Sequence, residues 1–243
     1  MISLDTWRDG WVIFKKELRG DRMYLIGNVI FMLYLAFSLS VMMGSHSEAE
    51  VLMKPLSDFL MLLLVPLTGF FFSRRSFNYI KEDSYTRMLK YYRTLPIPIT
   101  AIMKGRIIQL FMALIFNGVL FYPLFFWFSS NLRAEMNIGQ FIVFILTWTG
   151  YALLINGVFI YFELLKKGRT YLWLTISIIV LVVVITVISH FLGTSLVMLL
   201  VDYSSHFSFL SPLMWGALVV GGLGFFLLIK ITKRKLIVRD LRS

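Results

Sequence analysis

The chain has 243 residues, of which 58% are hydrophobic and only 15% charged, with a mean hydropathy of +0.80. A soluble domain is roughly half apolar and a quarter charged, so this balance excludes an ordinary water-soluble globular fold. With no cysteine and three scattered histidines (His46, His190 and His206), a disulfide framework, a thiolate metal site and a histidine cluster are excluded too.

Residues 1–22 are mixed in charge and lack the short apolar core and small-residue cleavage site of a secretory signal. Leu4, Trp7, Trp11, Phe14 and Leu18 recur there at helical spacing, with Asp5, Arg8, Asp9, Lys15, Lys16 and Arg19 largely off that stripe. The pattern predicts an amphipathic helix at the headgroup boundary, where indole rings prefer to sit. A hydrocarbon core about 30 Å thick needs about 20 apolar residues per helical crossing. Uncharged or nearly uncharged windows of that length predict six spans, at about 23–43, 55–73, 107–130, 138–162, 170–190 and 213–231. The second contains Pro66, whose freed carbonyls neighbouring helices would have to satisfy, and Asp58 near one end, where snorkelling makes a charge cheap.

Between spans two and three, residues 74–106 are basic and aromatic, and 78–93 are expected to form one helix stopped by Pro96 and Pro98, with Thr100 capping the next. Arg133 and Glu135 mark a tight turn between spans three and four. A second short basic loop covers 163–170. Gly193, Thr194 and Ser195 break the long apolar stretch after span five, leaving 191–211 as a short element that does not cross. Lys and Arg number five in 1–22, eight in 74–106, three in 163–170 and six in 230–243, against Lys54 and Arg133 alone in the opposite loops. Basic residues resist translocation, so both termini are expected in the cytoplasm, and the net charge of +11 reads as a solvated rim beside the lipid, not as a nucleic-acid surface.

Catalytic machinery is not evident. HExxH, GxSxG and the phosphate-binding GxxxxGK[ST] pattern do not occur, and no paired carboxylates lie within a span. No catalytic residue and no metal ligand is assigned. The polar side chains inside spans are Asn28, Asn117 and Asn156, read first as interhelical hydrogen-bonding groups and second as lining of a polar path. The lack of mid-membrane carboxylates argues against an ion-coupled carrier.

Taken together, the chain resembles the type-two permease subunits of bacterial ATP-binding-cassette exporters. The likeness rests on the helix 4–18 before span one, on EDSYTRMLKYYRTLPIPITAIMK from Glu82 to Lys104, on the short loop 163–170 and on the apolar piece 191–211. It implies an all-α polytopic membrane protein: an amphipathic connecting helix (1–22) and a single six-span domain (23–243), with a cytoplasmic coupling helix and an outer re-entrant element. It further implies that Glu82, Asp83, Tyr85, Arg87, Lys166 and Lys167 dock on an ATPase subunit that carries ATP and Mg, this chain binding no cofactor itself. A second copy or a homologous permease would complete the path, with Phe59, Met61, Phe70, Asn117 and Asn156 as candidate lining. Amphipathic or antimicrobial peptides, phenol-soluble modulins included, are the substrates the resemblance suggests. The competing readings are a membrane anchor or sensor that recruits a cytoplasmic partner, and an ion-coupled carrier.

Overall fold

The computed structural model describes residues 3–44, 50–95 and 97–239; Pro96, expected to stop a helix, lies outside them, as do the side chains of Leu4 and Asp5. Among the described residues there is no strand. The helices are α1 (Ser3–Gly20), α2 (Arg22–Gly44), α3 (Glu50–Leu64), α4 (Arg74–Glu82), α5 (Ser84–Thr94), α6 (Ile99–Phe128), α7 (Ser130–Glu135), α8 (Ile138–Leu165), α9 (Gly168–Phe191), α10 (Leu196–Phe207) and α11 (Pro212–Val238). Of these, α2, α6, α8, α9 and α11 are long and apolar enough to cross a bilayer, making this a helical multi-pass membrane protein.

The expected second span is the exception. Helix α3 stops at Leu64, a 3₁₀ turn with Pro66 in its first positions covers Val65–Gly69, and the chain then bends by 103° into α4. Continuous helix over 55–73 is thereby corrected to a broken element. A large part of the core packs around this break: Met32 and Leu39 of α2, Met61 of α3, Phe121 and Phe125 of α6, and Phe144 and Trp148 of α8 are all buried. Small residues let two further helices approach closely. A Cβ on Gly150 of α8 would lie 2.5 Å from the backbone of Ala217, and one on Gly221 of α11 would overlap the Gly150 carbonyl.

Helix α1 forms as expected but is rotated relative to its apolar stripe. Trp7 and Trp11 are about half exposed, whereas Thr6, Gly10 and Phe14 are buried. The reason is contact with α6: a Cβ on Gly10 would sit 2.9 Å from the Gly105 nitrogen, so this crossing requires glycine. Helix α6 itself begins at Ile99 with Pro98 as its cap, not Thr100, and runs through Lys104 and Arg106. Those charges do not end it because α1 partners them: Lys104 bonds the Thr6 hydroxyl at 2.5 Å and lies 4.7 Å over the Trp7 ring.

At the end of the bundle away from the termini, Arg133 and Glu135 belong to the short helix α7 instead of a bare turn. Gly193, at φ 69°, turns the chain from α9 into α10. Twelve residues of helix reach about 18 Å, too short for a crossing. Asp58 is not a snorkelling charge: it is 2% exposed and caps α10, accepting from the Ser195 hydroxyl (2.8 Å) and the N–H groups of Leu196 (2.8 Å) and Val197 (2.9 Å). Asp58→Ala should therefore cost about 2 kcal/mol and speed hydrogen exchange at the Leu196 and Val197 amides, with a smaller effect for Asp58→Asn; unchanged exchange in Asp58→Ala would contradict this capping role.

Candidate functional site

Besides the Asp58 cap of α10, polar side chains gather at the broken segment and at the basic end. In hydrocarbon an unpaired carbonyl costs several kcal/mol, so the 3₁₀ turn needs donors from other helices. Asn156 of α8 donates to the carbonyls of Pro66 (3.0 Å) and Ala152 (2.7 Å). Asn117 of α6 donates to those of Thr68 (2.9 Å) and Phe70 (2.8 Å), and its own oxygen accepts from Asn28 of α2 at 2.6 Å. Tyr151 donates to Leu62 at 2.7 Å. Gly69 permits the approach, because a Cβ there would lie 2.5 Å from the Asn156 amide. The three asparagines thus act as interhelical bonding groups and hold one helix open.

Beyond the break, Ser73 caps α4 by accepting from the Ser76 N–H at 3.2 Å. The expected single helix over 78–93 is two helices, divided at Asp83, which takes a left-handed conformation at φ 44°. The Asp83 carboxylate accepts the N–H of Gly168, the first residue of α9, at 2.8 Å. An anion suits that helix N-terminus. Gly168 is required, since a Cβ would overlap the Tyr79 carbonyl oxygen. Tyr79 and Tyr85 pack on Tyr171 of α9 with ring centroids 4.9 and 5.6 Å away.

Inside this corner lies a buried ion network. Glu17 of α1, its side chain 9% exposed, accepts from Arg75 of α4 at 2.9 Å and from the Tyr92 hydroxyl of α5 at 2.6 Å, with Arg106 of α6 at 3.6 Å. Arg106 also pairs with Glu163 of α8 and bonds Gln109 at 2.5 Å. Burial acts to raise the Glu17 carboxyl, but Arg106 and Arg75 outweigh it and hold the carboxyl below its ordinary range. Burial first, and then Glu17, push the Tyr92 phenol upward, so at neutral pH it remains a donor. Two carboxylates against two guanidinium groups leave this cluster near neutral, the condition under which burying charge is tolerable.

The residues read as docking groups divide accordingly. Asp83 and Tyr85 face inward, to Gly168 and Tyr171. Glu82 and Arg87 are exposed and pair with each other at 2.9 Å, and Lys167 is exposed beside half-buried Lys166. Of the candidate lining, Met61, Asn117 and Asn156 are enclosed within the chain, while Phe59 and Phe70 are half-buried. Glu17, Arg75 and Arg106 were not singled out from sequence, and Glu163 was noted only as a charge near a span end, with no partner assigned. The only signal for Arg75, Arg106 and Glu163 was a charge flanking an apolar window, which snorkelling explains equally well, and Glu17 is one of several charges on the amphipathic helix. Among the described residues no group of acids and histidines could hold a metal ion. No protein-family model, curated protein or solved structure matches the chain.

Because the folded Glu17 carboxyl lies below its ordinary value of 4.5, its contribution to stability is fully present above that pH and is lost as pH falls through the folded value. Glu17→Gln should lower the thermal midpoint of the detergent-solubilised protein at neutral pH by the equivalent of about 3 kcal/mol. It should also remove this part of the decline below pH 4.5, and an unaltered acid profile would rule the network out as its source.

Proposed function

We propose that the chain is the transmembrane permease subunit of an ATP-driven exporter, forming a translocation path with a second permease copy above separate ATPase subunits that bind ATP and Mg. The observation that carries this reading is the α4–α5 pair. It continues the broken second span and is bonded to the start of α9 through Asp83. Through Arg75, Tyr92 and Glu17 it also reaches α1 and, by way of Arg106 and Glu163, α6 and α8. Its exposed side carries the Glu82–Arg87 pair. A push on that surface has a bonded route to four membrane helices, as rigid-body alternating access requires.

In this reading α3 and the 3₁₀ turn that follows it make one crossing, giving six, and α4 lies outside the hydrocarbon. The basic end and both termini lie in the cytoplasm of a bacterial cell, and α10 is an outer re-entrant element. The substrates are amphipathic or antimicrobial peptides and other hydrophobic compounds. Phe59 and Phe70 remain as candidates for an adaptable greasy wall. The absence of native cysteine makes the topology simple to test. A cysteine in place of exposed Glu135 or Thr194 should react with an impermeant reagent from outside the cell, and one in place of exposed Lys81 only after permeabilisation. The opposite pattern would invert the protein.

Asp83 is committed to Gly168, so the docking test uses the exposed pair instead. Glu82→Lys and Arg87→Glu should insert normally, yet weaken association with the ATPase in a reconstituted complex by about 2 kcal/mol, roughly thirtyfold. Substrate-stimulated ATP hydrolysis should fall with it. Unaltered association in both variants would dismiss α4–α5 as the coupling element and favour a recruiting anchor.

A further inference from the structure

At the basic end, between the C-terminal ends of α8 and α11, a pocket of about 500 Å³ opens to the outside. Its polar lining is Tyr161, Lys166, Arg234, Lys235 and Arg239, with Leu165 and Val238 at its apolar edge. Four cations line it, and among the described residues it has no acidic lining. Glu163 and Asp83, the acids on the adjoining elements, are already bound to Arg106 and to the Gly168 N–H.

Two of the four cations are fixed by the fold. Arg239 donates to the Leu164 carbonyl at 2.5 Å and to the Thr86 hydroxyl at 3.1 Å, which ties the chain beyond α11 to the end of α8. Lys235 donates to the Tyr161 hydroxyl at 2.9 Å and lies 5.2 Å from the centre of that ring. Arg234 is exposed and Lys166 half-exposed at the mouth. The pocket is therefore an anchored basic cradle, unlike the groove between α1, α4 and α5, where Glu17, Asp21 and Glu82 offset the basic lining.

Its depth in the bundle indicates the occupant. The apolar window of α11 ends at Lys230 and that of α8 at Glu163, so the pocket begins where both helices leave hydrocarbon, the level at which phosphates of a leaflet lie. Val238, 83% exposed, and half-buried Leu165 offer apolar surface beside the cations, which a glycerol backbone and acyl chains can cover and a free anion cannot. We propose that this pocket binds the phosphate headgroup of an anionic glycerophospholipid from the leaflet at the basic end. The bound lipid bridges α8 and α11 at their ends, adding an anion where four cations would otherwise repel one another.

Native mass spectrometry of the full chain released from mild detergent, with phosphatidylglycerol and phosphatidylcholine of equal chain length as probes, tests this. Wild type should retain phosphatidylglycerol in preference to phosphatidylcholine, and excess inorganic phosphate should not displace it. Lys166→Gln with Arg234→Gln should weaken retention about thirtyfold, from about fivefold per basic residue at a membrane surface. Lys81→Gln with Lys90→Gln, which removes two exposed cations from the same end, should leave retention unchanged. Equal losses in the two double variants would reduce the effect to diffuse surface charge and overturn the site. Equal retention of the two lipids, or ready displacement by phosphate, would overturn it without reference to any variant.

Discussion

A backbone carbonyl opened inside an apolar bundle must be given a donor, and much of this architecture follows from meeting that demand at Val65–Gly69. Both amide hydrogens of Asn117 and both of Asn156 are used on backbone carbonyls, three of them on the broken segment itself. Those two side chains belong to α6 and α8, and Asn28 of α2 bonds to Asn117, so three membrane helices are positioned by one interruption in a fourth. The 103° bend comes after this turn, between Gly69 and Arg74. With it, the chain emerges sideways and places α4 and α5 across the basic end.

Placing helices there brings charges under cover. Isolated, a buried carboxylate or guanidinium costs several kcal/mol, which mutual attraction offsets only with good geometry and additional hydrogen bonds. Glu17 has both, with two guanidinium partners and the Tyr92 phenol. The network also explains why α1 turns its tryptophans partly outward: Gly10 must meet Gly105, and Glu17 must reach Arg75 and Arg106 from the same face. Such a cluster adds little net stability compared with apolar packing, but it makes the angle between α1, α4 and α6 specific, because shifting one element leaves a charge buried without its partner.

The opposite end uses the same principle on a smaller scale. Asp58 of α3 supplies the acceptor that the N-terminus of α10 lacks, so the short helix after Gly193 is held by the same helix that breaks nearer the basic end. Helix α3 thus carries a polar commitment at each end, to α10 at one and to α6 and α8 at the other.

Sequence alone determined the class of the molecule, the apolar windows that become α2, α6, α8, α9 and α11, the amphipathic helix and the shortness of the piece around α10. These follow from local composition and period, which a linear reading measures directly. It also identified Asn28, Asn117 and Asn156 as hydrogen-bonding groups and Pro66 as a place where carbonyls would be freed, but it could not join the two, because partners such as Pro66 and Asn156 are 90 residues apart. Only tertiary structure decided that α3 is broken, that Asp83 divides α4 from α5 and bonds Gly168, and that Glu17, Arg75, Arg106 and Glu163 meet. The physical reason is that a charge or polar group at the edge of an apolar window can be accommodated either by water and headgroups or by a partner from another helix. The local sequence is the same in both cases, and the choice is made only when the helices pack.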